Sequence, residues 1–169
     1  MRELAQLLNE MRSTGVVLQY AVFGAAAQMR YTEPVATLDV DVLLALPDEN
    51  RLDALAPIYE FCAERGHPAA GEAIQVGAWP VQFVPVFSSL TREALERAVE
   101  ADFEGAPLRV VRAEHLAAIA LSVGRAKDFA RILALLESGS VGREAIQAVA
   151  ARHGLAEAWR RFQNRFLDE

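Results

Sequence analysis

Asp39 and Asp41 are the residues whose type and spacing most directly suggest chemistry. They lie one residue apart in an apolar run that also contains Leu38, Val40 and Val42. Side chains at i and i+2 of a strand point to the same face, so we expect both carboxylates on one face and the three apolar residues behind them. Two neighbouring carboxylates are costly to bury unless a cation compensates. The pair therefore suggests a Mg²⁺ site, although an exposed polar face would also explain the D-x-D spacing.

Gly24, upstream of the acid pair, strengthens this hypothesis. It follows a β-branched, aromatic stretch that predicts a strand, and the alanine-rich stretch starting at Ala25 predicts a short helix. A glycine lets a ligand approach the backbone, and a helix N-terminus attracts anions. Mg²⁺ is commonly shared between carboxylates and substrate phosphates, so this arrangement predicts a site for a nucleotide with its metal ion.

A second candidate group lies later in the chain, in the segment GRAKDFARILALLE. It contains Arg125, Asp128 and Lys127, which is the only lysine of the sequence. One interpretation is that the two cations neutralise phosphate charge while Asp128 orients one of them. The other is an ordinary helix start, where Asp128 caps the helix or forms a structural ion pair.

With these elements in this order, the sequence resembles the nucleotidyltransferases of the DNA polymerase β superfamily, in particular the small bacterial group related to the AbiEii abortive-infection toxins. The family pattern is an apolar strand ending in Gly-Gly or Gly-Ser, then Asp-x-Asp in the next strand, and later Arg-x-Lys-Asp at a helix start. The matching residues are Gly24, Ala25, Thr37, Asp39 and Asp41 in the first element, and Arg125, Lys127 and Asp128 in the second.

The resemblance implies an α+β fold, in which a small mixed sheet is flanked by helices and followed by a helical C-terminal portion. We expect a single nucleotidyltransferase-like domain over residues 1–169, with a mixed α/β core at 1–112 and a helical part at 113–169. The composition agrees with a compact globular chain, since 53% of the residues are hydrophobic and the net charge is −6. No apolar run is long enough to cross a bilayer, so we expect a cytoplasmic protein without a membrane partner.

The resemblance also implies roles for the matching residues. An NTP would be the substrate, and Asp39 and Asp41 would hold Mg²⁺ or Mn²⁺. Asp39, Asp41 and Lys127 would be catalytic, and Asp128 would have an orienting role. The nucleotide-binding residues would be Gly24, Ala25, Thr37, Arg125 and Lys127.

Four positions depart from the family pattern. Ala25 has no hydroxyl for phosphate, Val35 stands where an arginine often precedes the threonine, and Ala120 stands where a lysine is common. The third acid of the family, which helps to activate the attacking hydroxyl, corresponds to Gln82. A neutral amide brings no charge and cannot accept a proton, so we expect nucleotide binding to persist and transfer to weaken.

Two functions follow from the resemblance. The first is Mg²⁺-dependent transfer of NMP from an NTP to a hydroxyl acceptor on RNA or protein, weakened by Gln82. The alternative is a non-catalytic member of the same fold, which binds a nucleotide or a cognate partner protein in a toxin–antitoxin-like system. Glu33 and Glu72 are other acids that could replace the third carboxylate.

Hydrophobic periodicity predicts the elements that position these residues. Near the C-terminus, Trp159, Phe162 and Phe166 follow helical spacing among arginines, which favours a core-facing helix over an RNA-binding surface. We predict helices over 3–14, 25–30, 49–66, 89–101 and 113–123, strands over 16–23, 37–46 and 108–111, a hairpin over 72–87, and further helices from 126 with breaks near 139–140 and 153–154.

Overall fold

The computed structural model describes residues 1–168 and shows a mixed seven-stranded sheet with helices packed against it. The helices are α1 (Arg2–Ser13), α2 (Gly24–Gln28), α3 (Ala56–Glu64), α4 (Ser89–Glu96), α5 (Ala113–Val123), α6 (Ala126–Glu137), α7 (Arg143–Arg152) and α8 (Ala156–Phe166). The strands are β1 (Gln19–Phe23), β2 (Val40–Ala45), β3 (Ala69–Ala70), β4 (Ala73–Val76), β5 (Trp79–Pro85), β6 (Val99–Phe103) and β7 (Ala106–Val110).

The sheet has the strand order β3-β4-β5-β2-β1-β7-β6, and its centre is formed by β1 and β2. These two strands are antiparallel, whereas β2 pairs with β5 and β1 pairs with β7 in parallel. Tyr20, Val42 and Leu43 in the central strands are fully buried, because α1 and α4 pack against this part of the sheet. Strands covered in this way consist of nearly continuous apolar residues, which is how both were recognised in the sequence.

The register of the central strands brings three positions into one row across the sheet. Phe23, the last residue of β1, pairs with Asp41 of β2, and Asp41 pairs with Gln82 of β5. The backbone enters α2 at Gly24, immediately after Phe23. The glycine turn, the acid and the amide therefore lie together at one end of the central strands.

The predicted architecture is confirmed: a mixed sheet flanked by helices is followed by a helical C-terminal portion, α5 to α8. Helix α5 has the predicted bounds, and the β4–β5 hairpin turns at Gly77 and Ala78 as expected. Eight of the eleven residues of α5 are buried, since the helix packs between α2, α4, α6 and α7, and the exposed residues Ser122 and Val123 lie at its C-terminal end.

Two predicted helices were too long. Helix α4 ends at Glu96, and the next residues form β6, which pairs antiparallel with β7. Helix α3 begins at Ala56, with Pro57 in its first turn, and Leu52 in the preceding turns is fully exposed. A proline favours the first turn of a helix, and long-range strand pairing overrides local helical propensity.

Candidate functional site

A cavity of about 730 Å³ lies between the end of β1, the start of β2 and the helices α5 and α6. Eight of the nine site residues predicted from the sequence line this cavity, although they come from segments about ninety residues apart in the chain. They are Gly24, Ala25, Thr37, Asp39, Asp41, Arg125, Lys127 and Asp128.

Gly24 is in direct contact with the Asp41 side chain. Its φ is +67°, in the left-handed region, and a Cβ added to it would lie 2.6 Å from Asp41 Oδ2. No side chain fits in this gap, and a non-glycine residue would also strain the backbone. The glycine thus lets the start of α2 approach the carboxylate closely.

Asp39 is held by two neighbours rather than by the strand. It precedes β2, which begins at Val40, so the prediction that both aspartates share one face of a strand is corrected. The Thr37 hydroxyl donates to the Asp39 carbonyl oxygen at 2.7 Å, and Gln82 Nε2 donates to Asp39 Oδ2 at 3.0 Å. Leu38, expected behind the pair, is 90% exposed because the chain has not yet entered the sheet.

Asp41 is less readily ionised than an ordinary aspartate, because its pKa is raised. Its half-buried position raises the pKa of Asp41 above the ordinary value, and the nearby Asp39 carboxylate raises it further. Arg131, Lys127 and Arg125 oppose this rise without cancelling it. The carboxylate is therefore under-compensated by the protein, which is the situation in which a bound cation stabilises a site.

Asp128 and Arg125 form the N-terminal cap of α6. Asp128 is 1% exposed, and its Oδ2 accepts hydrogen bonds from Arg125 Nε at 2.7 Å and from the Arg125 backbone N–H at 3.1 Å. Burial alone would raise the pKa of Asp128, but these bonds and the two arginines hold it below the ordinary value. The Asp128 carboxylate is thus engaged in capping and ion pairing.

Lys127 and Arg131 supply the other positive charges of the cavity. Within residues 1–168, Lys127 has no hydrogen bond or ion pair through its side chain, and it lines the same cavity as the acid pair. The Arg131 side chain is only 15% exposed, and burial lowers its pKa. Among the three cations, Arg131 acts most strongly on Asp41.

Arg131 and Gln28 were missed by the sequence analysis. Arg131 Nε donates to Gln28 Oε1 at 3.0 Å, and Arg131 Nη1 lies 3.8 Å from Asp128 Oδ1. Gln28, on α2, is only 5% exposed and thus holds the guanidinium in place. The signal was the i, i+4 spacing of Lys127 and Arg131, which puts two cations on one face of α6.

The residues present fit a divalent cation shared with phosphates. Two carboxylates and a glycine turn without a side chain face the same space, and hard oxygen ligands suit Mg²⁺. No cluster of three or more His, Cys, Asp or Glu residues suited to a metal exists in the described chain, so a cation here would need ligands beyond the protein. Phosphate oxygens or water would complete its shell.

The other residues singled out in the sequence divide between the cavity and the rest of the molecule. Ala120 and Val35 line the cavity, whereas Gln82, Glu33 and Glu72 are not among its lining residues. Trp159 and Phe162 are 2% and 3% exposed, which confirms that α8 turns its aromatic face to the core. No helix in residues 1–168 is both long and apolar enough to span a membrane.

Comparison with known proteins gives similarity in structure only. No protein-family model and no curated protein matches the chain. The solution structure of the antibiotic-resistance factor ANT(2'')-Ia is similar over 96% of this chain and 95% of that chain, with 14% identity and a TM-score of 0.54. The crystal structure of ANT(2'')-Ia in complex with adenylyl-2''-tobramycin covers 96% and 97%, with 13% identity and a TM-score of 0.55.

A third structure gives the same result. An antigenic nucleotidyltransferase-like protein from Paracoccidioides brasiliensis is similar over 92% of this chain and 89% of that chain, with 13% identity and a TM-score of 0.58. Because a fold persists at identities where activities diverge, these likenesses concern the fold. The chain has the fold of the nucleotidyltransferases.

Proposed function

We propose that this protein binds an NTP with Mg²⁺ or Mn²⁺ in the cavity between β1, β2 and α6, and transfers NMP from it to an acceptor. The observation that carries the proposal is that Asp39 and Asp41 line one cavity together with the cations of α6, with the Gly24 turn beside Asp41. Acids that hold a metal ion and cations that meet phosphate are the recurring parts of phosphoryl-transfer sites.

Each side chain has a distinct task in this proposal. Asp39 and Asp41 hold the metal ion, which when bound neutralises polyphosphate charge and orients the α-phosphate. The backbone N–H groups at Gly24 and Ala25 face phosphate oxygens, since Ala25 offers no hydroxyl. Lys127 meets the polyphosphate as an unpaired cation, and Arg131, fixed by Gln28, keeps its charge near Asp41.

Gln82 bears on how well transfer proceeds. It pairs in register with Asp41 and donates to Asp39, so its amide stands beside the acid pair without adding charge. A hydroxyl acceptor on RNA or protein, as the resemblance implies, would have to lose a proton there, and an amide cannot accept it. Weak transfer to hydroxyls is therefore part of the proposal.

The Gln82–Asp39 hydrogen bond also supports the second candidate function. A site that holds a nucleotide but lacks the third acid suits a non-catalytic member of the fold, which would signal nucleotide occupancy to a cognate partner protein. The relation to AbiEii-like toxins, a toxin–antitoxin role, a bacterial origin and a cytoplasmic location remain predictions from the sequence.

Nucleotide binding is the first test. Isothermal titration with each of the four NTPs in Mg²⁺ should show binding of at least one, and Asp39→Ala/Asp41→Ala should weaken its affinity at least about tenfold, or 1.4 kcal/mol. Asp48→Ala/Asp53→Ala, which removes two exposed carboxylates and the same charge, is the matched control and should bind normally. Absence of binding by the unaltered protein would refute the proposal.

Transfer is the second test, and it separates the two candidate functions. The protein is incubated with each α-labelled NTP, Mg²⁺ or Mn²⁺, and cell lysate or total RNA. Label that reaches an acceptor with the unaltered protein, but not with Asp39→Ala/Asp41→Ala, supports an enzyme. Binding without transfer for every NTP and metal supports the non-catalytic alternative.

A further inference from the structure

When Asp39 and Asp41 hold a metal ion as proposed above, no carboxylate or histidine among the cavity-lining residues of 1–168 is left to take a proton from an attacking hydroxyl. Resting on the proposed function, we propose that the acceptor attacks with an oxygen that is already ionised at neutral pH, a carboxylate or a phosphate oxygen. Such an acceptor needs no general base, whereas an alcohol does. Three features support this: the amide at the third position, the tasks that the acids of the cavity wall already have, and two cations without a carboxylate at hydrogen-bond distance.

Gln82 occupies the position beside the acid pair and is fixed there as a donor. It pairs with Asp41 across β2 and β5, and its Nε2 donates to Asp39 Oδ2 at 3.0 Å. The amide nitrogen has no lone pair available for a proton, and the amide oxygen is not basic in water. Gln82 can thus orient Asp39 but cannot activate a nucleophile.

Each acid of the cavity wall already has a task other than accepting a proton from the acceptor. Among the lining residues that the structure describes, the titratable acids are Asp39, Asp41 and Asp128, and no histidine is present. Asp39 and Asp41 are the proposed metal-binding pair. Asp128 is 1% exposed and accepts the hydrogen bonds of Arg125 that cap α6, so its oxygens face the protein rather than an acceptor.

Two of the three cavity cations lack a carboxylate at hydrogen-bond distance within the described chain. Lys127 has no partner in the described chain, and Arg131 is held by the neutral Gln28 at 3.0 Å, with Asp128 at the longer distance of 3.8 Å. An anionic acceptor next to a polyphosphate needs cations to offset repulsion, and Lys127 and Arg131 would supply this charge to the acceptor as well as to the polyphosphate and the acid pair. A neutral alcohol would need no such compensation.

The reaction is balanced without proton transfer from the acceptor. An oxygen of R–COO⁻ or R–OPO₃²⁻ attacks the α-phosphorus and forms a new P–O bond. The bond between the α-phosphorus and the bridging oxygen to the β-phosphorus breaks, and pyrophosphate leaves with that electron pair. The product is a mixed acyl–phosphate anhydride or a phosphoanhydride, whereas a hydroxyl acceptor would give a phosphodiester.

The test identifies the new linkage in a probe that offers all three nucleophiles. 3-Phosphoglycerate carries a carboxylate, a phosphate and a hydroxyl, and it is supplied at millimolar concentration with the NTP found to bind and Mg²⁺. Hydroxylamine cleaves the acyl anhydride alone, and ³¹P NMR separates the phosphoanhydride from the phosphodiester. Labelled products from cell lysate are treated in the same way, so that the linkage to an acceptor unlike 3-phosphoglycerate is also identified.

An anhydride of either kind supports the inference. An acyl–phosphate anhydride shows that a carboxylate attacked, and a phosphoanhydride shows that a phosphate attacked. Phosphodiester as the main product overturns the inference but leaves the proposed transfer function standing. No product from either source, with NTP binding intact, overturns both the inference and the transfer reaction. Absence of NTP binding overturns the proposed site itself.

Gln82→Glu supplies a second, independent readout. A carboxylate at this position should enable hydroxyl attack and raise the ratio of phosphodiester to anhydride at least about tenfold, a modest share of the ~10²–10⁴ that a general base contributes. Gln75→Glu, the same change on the neighbouring strand β4, where the side chain hydrogen-bonds to the Gly77 carbonyl oxygen instead of Asp39, should leave the ratio unchanged. An unchanged ratio in Gln82→Glu with normal NTP affinity would contradict the role given to Gln82.

Discussion

Electrostatics at single residues dominates the candidate site. Asp41 is half-buried beside Asp39, and both burial and like charge raise its pKa. Arg131 faces the same space from α6, held by Gln28 rather than by a matched acid. Without a bound cation, then, the protein holds the Asp41 carboxylate ionised at neutral pH only at the expense of its own stability.

Asp41→Asn should therefore stabilise the metal-free protein. An acid whose pKa is raised on folding destabilises the native state at pH values above its folded pKa, and asparagine removes that penalty. In EDTA at pH 7 we expect the melting temperature to rise by roughly 2–4 °C, the shift for about 1 kcal/mol in a chain of this size. Differential scanning calorimetry measures it.

The pH dependence and a control sharpen this prediction. The stabilisation should shrink as the pH falls toward the ordinary value of 3.8, where the carboxyl is protonated in the folded state as well. Asp48→Asn, at an exposed loop position, should leave the melting temperature nearly unchanged. A marked fall in the melting temperature of Asp41→Asn in EDTA would show that our account of the pair is wrong.

At the scale of elements, the junction between β1 and α2 fixes the geometry of the site. The antiparallel register of β1 and β2 places Asp41 beside the end of β1, and Gly24 turns the chain into α2 with a φ of +67°. The missing side chain leaves the first turn of α2 in contact with the carboxylate. This close approach brings backbone N–H groups and the acid pair to one point.

Gly24→Ala should disrupt this junction and nucleotide binding together. The left-handed φ strains any other residue by about 1–3 kcal/mol, and the new Cβ would overlap Asp41 Oδ2. We expect a lower melting temperature and at least about tenfold weaker binding of the Mg²⁺-bound nucleotide, since the carboxylate must move. Calorimetric titration and thermal unfolding provide the two measurements.

Gly15→Ala is the matched control. Gly15 has a φ of +79°, but no atom lies within 4 Å of the place that a Cβ would occupy, so the substitution brings the backbone strain without the overlap. It should lower stability while nucleotide affinity stays unchanged. Equal loss of affinity in both variants would mean that the contact of Gly24 with Asp41 has no special role.

At the scale of the whole molecule, Glu93 joins the sheet-packing helix α4 to the helical C-terminal portion. Its carboxylate accepts a hydrogen bond from Arg152 of α7 and lies 3.0 Å from His115 Nε2 of α5 and 2.7 Å from His153 Nε2. The hydrogen bond from Arg152 and those to the histidines hold the pKa of Glu93 well below its ordinary value. One acid thus joins α4, α5 and α7 through residues that do not line the cavity.

Glu93→Gln should destabilise the fold and spare the site. Loss of the charge leaves partly buried partners uncompensated, which we expect to destabilise the protein by about 2 kcal/mol, or roughly 4–8 °C. A carboxyl group whose pKa is lowered on folding stabilises the fold at pH values above its ordinary pKa, which is 4.5 for glutamate. This contribution to the free energy of unfolding is lost as the pH falls below 4.5. The difference in melting temperature from the unaltered protein should therefore narrow as the pH falls below 4.5.

Glu157→Gln provides the comparison for this variant. Glu157 pairs with Arg160 on the exposed side of α8, where solvent screens the charges, so little change in melting temperature is expected at any pH. NTP affinity should match that of the unaltered protein in both variants. If Glu93→Gln is as stable as Glu157→Gln, Glu93 does not stabilise the packing of α4 against the helical C-terminal portion.

The amino-acid sequence alone was enough to identify which segments are buried and which residues are chemically notable. The apolar runs of β1 and β2, the apolar sequence of α5 and the breaks between the last helices are local patterns, so they could be recognised without coordinates. The same holds for Gly24, Asp41 and Lys127, whose residue types limit what they can do. The predicted boundaries were wrong where a local helical preference competed with pairing to a distant segment. This occurs at β6, which was predicted as helix and pairs with β7.

How these residues meet was settled by long-range contacts that no local pattern contains. Strand register placed Gln82 against Asp41, and the packing of α6 against α5 brought Lys127 and Arg131 into one cavity with the acid pair. The commitment of Asp128 to its cap, and the fixing of Arg131 by a residue 103 positions earlier, likewise became visible only in the folded chain. A pattern along the chain reports local preference, whereas burial, pairing and the pKa of a group depend on what the fold brings beside it.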